Sequence, residues 1–240
     1  MFAGIDVGNT TLRLYLCKLF SFSFIDEFVY NVKDFDIKDI VKRIKGIDIV
    51  VFSSVVDDVE NKLLEVFYSN NIRVYKIDKN VNSIDFSLYS SNIGSDRVTT
   101  CLGALSYDFL PFCVIDMGTA TTFSVVNYKK EYSGGFIIPG VGTMFKSLHN
   151  YTSRLPLVEL RDCLDFNLGL STIDSIRNGV YNLNIEGIKG IMRNIREIYP
   201  DIKFFGTGGW SKFFYKIFDI NDPYLIIKGM HYFLMKEAKI

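Results

Sequence analysis

Residues 1–16 read MFAGIDVGNTTLRLYL, and residues 111–126 read PFCVIDMGTATTFSVV. Each is an apolar run, then Asp, one free position, Gly, Asn or Thr, further Thr, and a second apolar run. The aspartates are Asp6 and Asp116. The flanking runs, Phe2–Ile5 and Leu12–Leu19 in the first copy and Phe112–Ile115 and Thr122–Tyr128 in the second, have the length and composition of buried strands. A strand–turn–strand built this way brings backbone N–H groups into the turn. Gly8 and Gly118 carry no side chain to block an approaching anion. One copy alone reads equally well as a tight hairpin whose Asp satisfies its own turn. Two copies in matched context favour a site.

The order of elements around each copy repeats as well. After the first come a strand-like run at Phe22–Tyr30 and an amphipathic helix marked by Ile37, Ile40, Val41 and Ile44. A strand at Ile47–Phe52, a helix through Val59, Leu63, Val66 and Phe67, and a strand at Ile72–Ile77 follow. After the second come a strand at Tyr132–Ile138, a helix over 141–150, and a long helical stretch over 171–198. Gly179, Gly187 and Gly190 interrupt that stretch, so two shorter helices remain an alternative. A strand at Ile202–Phe205, a helix over Trp210–Phe218 and a final helix beyond Pro223 complete the pattern. Residues 94–109 read as a helix bridging the halves. The sequence therefore predicts a duplicated α/β fold, residues 1–108 and 109–240, with a cleft between the two domains.

Composition narrows the function. The chain has 240 residues, 48% of them apolar, and a formal net charge of zero. It has ample core and no excess charge, which disfavours nucleic acid or an acidic membrane surface as partner. No apolar run spans a bilayer, and the N-terminus lacks the basic segment of a signal peptide. Cys17, Cys101, Cys113 and Cys163 show no paired spacing, and His149 and His231 stand far apart. A zinc centre or disulfide framework is disfavoured, and a cytoplasmic location is expected.

The turns suit phosphate chemistry. Thr10, Thr11, Thr119, Thr121 and Thr122 offer hydroxyls, and Asn9 and Arg13 are further donors. Asp6 and Asp116 suit a hard cation or its water shell. Phe205-Gly206-Thr207-Gly208-Gly209 lies between a strand and a helix start, where a nucleotide could dock. No P-loop is present. Gly94-Ser95-Asp96-Arg97 opens the bridging helix. Asp96 is placed to accept a proton from an attacking hydroxyl and Arg97 to clamp an anion. An Asp favoured by the helix dipole and a solvated Arg fit the spacing as well.

Together these segments resemble the type III pantothenate kinases of the actin, hexokinase and heat-shock ATPase superfamily. The resemblance runs through DVGNTTLR, GSDR, DMGTATT, GGFIIPG, TSRLP, GLSTIDSIRNG and FGTGG, in the family's order. It implies duplicated ribonuclease H-like domains and transfer of the ATP γ-phosphate to the 4′-hydroxyl of pantothenate, the first step of coenzyme A biosynthesis. By the same resemblance Asp6, Gly8, Asn9, Thr10, Thr11 and Arg13 form the phosphate loop, and Thr119 touches ATP. Asp96 is the proton acceptor, and Tyr89, Gly94, Ser95, Asp96, Arg97 and Thr172 meet pantothenate. Thr172 does so across the interface of a homodimer. Asp116 ligates a monovalent cation, potassium or ammonium, and Mg²⁺ accompanies the nucleotide. The segment 86–92, FSLYSSN, lacks the proline that family members commonly place upstream of GSDR. A catalytically silent homologue acting as a regulator or transcriptional activator is the alternative. A sugar or acetate kinase of the same superfamily is a third reading.

Overall fold

In the computed structural model, which describes residues 1–90 and 92–240, the opening repeat folds as a hairpin. Strand β1 (Phe2–Val7) pairs antiparallel with β2 (Thr11–Lys18), which pairs antiparallel with β3 (Ser23–Asn31). After helix α1 (Ile37–Arg43), β4 (Ile49–Ser54) lies parallel to β1. After α2 (Asp57–Ser69), β5 (Arg73–Lys76) lies parallel to β4. The sheet order is β3-β2-β1-β4-β5.

Beyond α3 (Ser95–Leu105) the second repeat does the same with β6 (Phe112–Met117), β7 (Ala120–Val126) and β8 (Tyr132–Pro139). Helices α4 (Val141–Asn150) and α5 (Thr172–Ile198) precede β9 (Lys203–Thr207) and the short β10 (Ile220–Asn221). This sheet runs β10-β9-β6-β7-β8, with β9 parallel to β6 and β10 parallel to β9. Matching strands therefore occupy matching places, which is the duplicated α/β architecture expected from the repeat.

Each sheet has its own core. In the first, Ile5, Leu12, Leu14, Val50 and Phe52 pack against Ile40, Leu63 and Phe67 of α1 and α2. In the second, Ile115, Phe123 and Phe204 pack against Phe145 of α4 and Val180, Ile188 and Met192 of α5. Helix α5 is continuous over 27 residues despite its glycines. Its buried stripe outweighs the backbone entropy those glycines add. The Ser171 hydroxyl caps it by accepting from the Asp174 amide at 3.1 Å.

Two features depart from the sequence reading. Residues 210–218 form two 3-10 turns, Ser211–Phe213 and Tyr215–Ile217, in place of a helix. Phe214 leaves the helical region (φ −122°, ψ 9°), its ring stacking on Tyr181, and Phe218 covers Gly206, where a Cβ would stand 2.1 Å from the ring. Tertiary packing overrides the helical spacing of these aromatics.

The second concerns the chain's last helix, α6 (Leu225–Tyr232). The chain divides into one unit of Met1–Asp108, Lys130–Tyr132 and Tyr224–Ile240 and another of Phe109–Lys129 and Ser133–Pro223. A cut at 108/109 follows order along the chain, whereas α6 packs with the first unit. It crosses α3 at backbone contact distance. A Cβ on Gly229 would lie 1.8 Å from the Thr99 carbonyl oxygen, and one on Gly103 would lie 2.1 Å from that of Leu225. On its other side α6 sets Ile227 and Met230 over Gly4 of β1.

Gly229→Ala should therefore cost about 2–3 kcal/mol, as overpacking against backbone does. Gly187→Ala, into open space on α5, should gain roughly 0.5–1 kcal/mol. Urea unfolding of the two variants measures both.

Candidate active site

The first turn begins where β1 ends. The Gly8 amide donates to the Thr11 carbonyl at 2.9 Å, leaving Asn9 and Thr10 exposed at the tip. Asp6 and Arg13 stand in register on β1 and β2, and on its other side Asp6 is in register with Ser53 of β4. Arg13 forms an ion pair with Glu27 of β3. A polar row thus crosses one face of the sheet.

The row continues onto α3 through one hydroxyl. Ser95 Oγ donates to the Ser54 carbonyl at 2.8 Å and accepts from the Ser54 amide at 2.9 Å. Having given its proton, it accepts from Ser53 Oγ at 3.1 Å. This bonding fixes the start of α3 at the end of β4, one strand from Asp6. The next residue is Asp96.

Asp96 is half-buried, and burial pushes its carboxyl above the ordinary carboxylate range. The Arg97 amide, donating to Asp96 Oδ1 at 2.8 Å, and the Arg97 charge oppose the shift without cancelling it. A carboxylate held this way is a stronger base than a solvated one. Gly94 makes room for it, since a Cβ there would stand 2.4 Å from Asp96 Oδ1.

Arg97 is buried rather than solvated. Its guanidinium bonds to the Tyr132 hydroxyl and reaches that of Tyr89 at 3.5 Å, with both rings under 6 Å from its Cζ. Phe86 packs on Tyr132 at 5.2 Å between centroids. Tyr89 also borders a cavity of about 390 Å³ whose walls include Lys79, Asn82, Ile84 and Phe86. Its loop is pinned by Glu237, which accepts from the Asn82 and Ser83 amides at 2.7 and 2.9 Å.

In the second unit Asp116 is half-buried in a strand with the burial pattern of β1. Gly208, with φ +86°, lies against it, and a Cβ there would stand 2.3 Å from Asp116 Oδ1. Thr119 is exposed at the tip of its turn. Its carbonyl accepts from the Gly140 amide at 3.0 Å and the Thr143 hydroxyl at 2.6 Å, which ties the turn to the start of α4. The Thr121 hydroxyl, by contrast, points into the core without a partner. Among the described residues no three His, Cys, Asp or Glu side chains cluster as a metal cage. A carboxylate in a glycine-lined recess offers charge and oxygen donors to a hard cation. Thr172 is the exposed first residue of α5.

The first unit thus brings together Asp6, Gly8, Thr11, Arg13, Gly94, Ser95 and Asp96 along one sheet end, and Tyr89 with Arg97. Asp116, Thr119 and Thr172 belong to the second unit. Sequence reading missed Glu27, Ser53 and Tyr132. Only the FSS ending of β4, two hydroxyls closing an apolar strand, hinted at one of them.

The family model for type III pantothenate kinase matches residues 4–194. The chain belongs to the type III pantothenate kinase family. A type III pantothenate kinase of Sulfurihydrogenibium sp. is 31% identical over 98% of this chain and 100% of its own length. One from Thermosipho melanesiensis is 32% identical over 95% and 96%. Among solved structures, a Campylobacter jejuni protein described as a Baf family transcriptional activator superposes with a TM-score of 0.65 at 20% identity, covering 99% of this chain and 100% of that one. A Sinorhizobium meliloti protein described as a 2-dehydro-3-deoxygalactonokinase gives 0.63 at 10%, covering 100% and 97%. These two show the shared fold.

Two outcomes follow for a family member built this way. Gly94→Ala should displace the Asp96 carboxylate and lower kcat on the order of 10- to 100-fold with little change in melting temperature. Asp96→Asn should stabilise the fold, because ionising a carboxyl whose folded pKa is raised costs stability. The gain should be absent below about pH 4, grow as pH rises through the raised value, and level off above it. Melting curves between pH 4 and 8 record it.

Proposed function

We propose that this chain transfers the γ-phosphate of ATP to the 4′-hydroxyl of pantothenate, the first step of coenzyme A biosynthesis. The observation that carries this reading is the Ser95 anchor, which sets the Asp96 carboxylate at the sheet end that bears the Asp6 turn. Asp96 accepts the hydroxyl proton as the oxygen attacks the γ-phosphorus. The bond from that phosphorus to the bridging oxygen breaks, and ADP leaves with the electron pair.

Backbone and side-chain donors of Gly8, Asn9, Thr10, Thr11 and Arg13 hold the phosphates, and Asp6 would offer its carboxylate to the Mg²⁺ that accompanies the nucleotide. Thr119 contacts the nucleotide. Asp116 would hold the monovalent cation, potassium or ammonium. Gly94, Ser95, Arg97 and Tyr89 bind pantothenate. Tyr89 and Tyr132 keep Arg97 oriented in its aromatic surroundings, and the cavity beside Tyr89 gives the substrate room.

Thr172 of a second copy completes the pantothenate site in a homodimer. Phe166, Leu168 and Leu170, between 78% and 99% exposed, flank Thr172 with apolar surface that a partner would cover. No helix among the described residues is long and apolar enough to cross a membrane, and we place the enzyme in the cytoplasm. The alternative of a silent regulator gives no role to a half-buried carboxyl of raised pKa at the sheet end that bears the Asp6 turn.

A coupled assay should show ADP release dependent on pantothenate, faster in potassium than in sodium buffer, and abolished by Asp96→Asn. No turnover in either salt would overturn the assignment, and full activity in the variant would remove Asp96 from the role of base.

A further inference from the structure

Strand β3 is an edge strand with mostly exposed residues, yet it sends one carboxylate into the polar row. Glu27 stands opposite Tyr15, two positions along from Arg13, and its side chain reaches diagonally across the sheet face to the guanidinium. Both partners are only partly exposed, with 31% of the Arg13 side chain and 21% of that of Glu27 open to solvent. We propose that Glu27 is a positioning residue for the nucleotide, fixing the Arg13 guanidinium so that its remaining donors face the phosphates. This rests on the reading of residues 6–13 as the phosphate loop.

An arginine side chain has several rotatable bonds, and holding it in one geometry costs conformational entropy. Its planar fork rewards preorganisation, since one N–H can be held by a carboxylate while the others stay directed at a ligand. Arg13 has a second carboxylate in register across β1, that of Asp6. Without Glu27 the guanidinium would be drawn toward Asp6, and an arriving phosphate would have to displace it. Glu27 supplies the alternative anchor on the far side. Tyr15, in register with Glu27 and hydrogen-bonded to the Arg13 side chain, adds no competing charge. Its hydroxyl is pushed far up, first by burial and then by the Asp6 charge, and it stays neutral.

The test is a double-mutant cycle on Glu27→Gln and Arg13→Ala, with Glu27→Asp as a charge-retaining control. Calorimetric binding of a non-hydrolysable ATP analogue with Mg²⁺ needs no pantothenate turnover, and steady-state kinetics on both substrates complete the set. Glu27→Gln should raise the nucleotide Kd and KM about tenfold, the scale of one charge-assisted hydrogen bond, and leave the KM for pantothenate unchanged. Glu27→Asp should recover part of the loss. In the Arg13→Ala background Glu27→Gln should have no further effect. An equal loss in both backgrounds, or unchanged nucleotide binding in Glu27→Gln while Arg13→Ala binds weakly, overturns the role of Glu27 alone. Unchanged nucleotide binding in Arg13→Ala overturns the phosphate-loop role of Arg13, and the proposal with it. Melting temperatures identify a variant that has lost its fold, and in that case Glu27→Asp decides: weaker nucleotide binding supports the proposal, and unchanged binding overturns it.

Discussion

The hydroxyl of Ser95 is the joint on which the placement of α3 in the first unit depends. It exchanges hydrogen bonds with both the amide and the carbonyl of Ser54 and takes a third from Ser53. A hydroxyl has one proton and two lone pairs, so this bonding is saturated. It gives the start of α3 a fixed height and rotation on the sheet, and with them the direction of Asp96. The far side of α3 is fixed as firmly, because Gly103 and Gly229 let its backbone meet that of α6 without side chains between them. A helix held at both faces is a rigid mount for the Asp96 carboxylate.

The duplicated turn shows how one device can diverge. The two sheets share strand order, and their first strands share a burial pattern. The turns differ in length, however. Val7 pairs with Leu12 across the first, whereas Met117 pairs with Thr121 across the second, which is one residue shorter. The residue opposite the aspartate differs as well: Arg13 faces Asp6, and Thr122 faces Asp116. A cation across from a carboxylate offsets its charge and adds donors for an anion. A hydroxyl brings no charge, and the second carboxylate keeps its attraction for a cation.

Much of this was legible in the sequence because local pattern and final environment agree. Alternating or continuous apolar runs, glycine at each turn and 3.6-residue spacing in α1, α2 and α5 placed nearly all the elements. Asp96 was visible at a helix start, though its burial was not. What escaped depends on neighbours that the chain order does not name. Glu27 matters only because β3 lies beside β2, and Tyr132 only because it folds back onto Arg97. Residues 210–218 have helical spacing, but Phe214 and Phe218 serve Tyr181 and Gly206. The final helix beyond Pro223 is legible too, yet nothing in its spacing says which sheet it covers.

That last placement sets an order of events during synthesis. The first unit is not contiguous: its α6 lies beyond the entire second unit. As the chain leaves the ribosome, the sheet of β1 to β5 emerges early with the face around Gly4 still open and α3 without its crossing partner. Domains ordinarily fold as they are completed, N-terminal first. Here the earlier-made unit is the later one to close, and the Asp96 mount gains its full rigidity only when the final helix arrives.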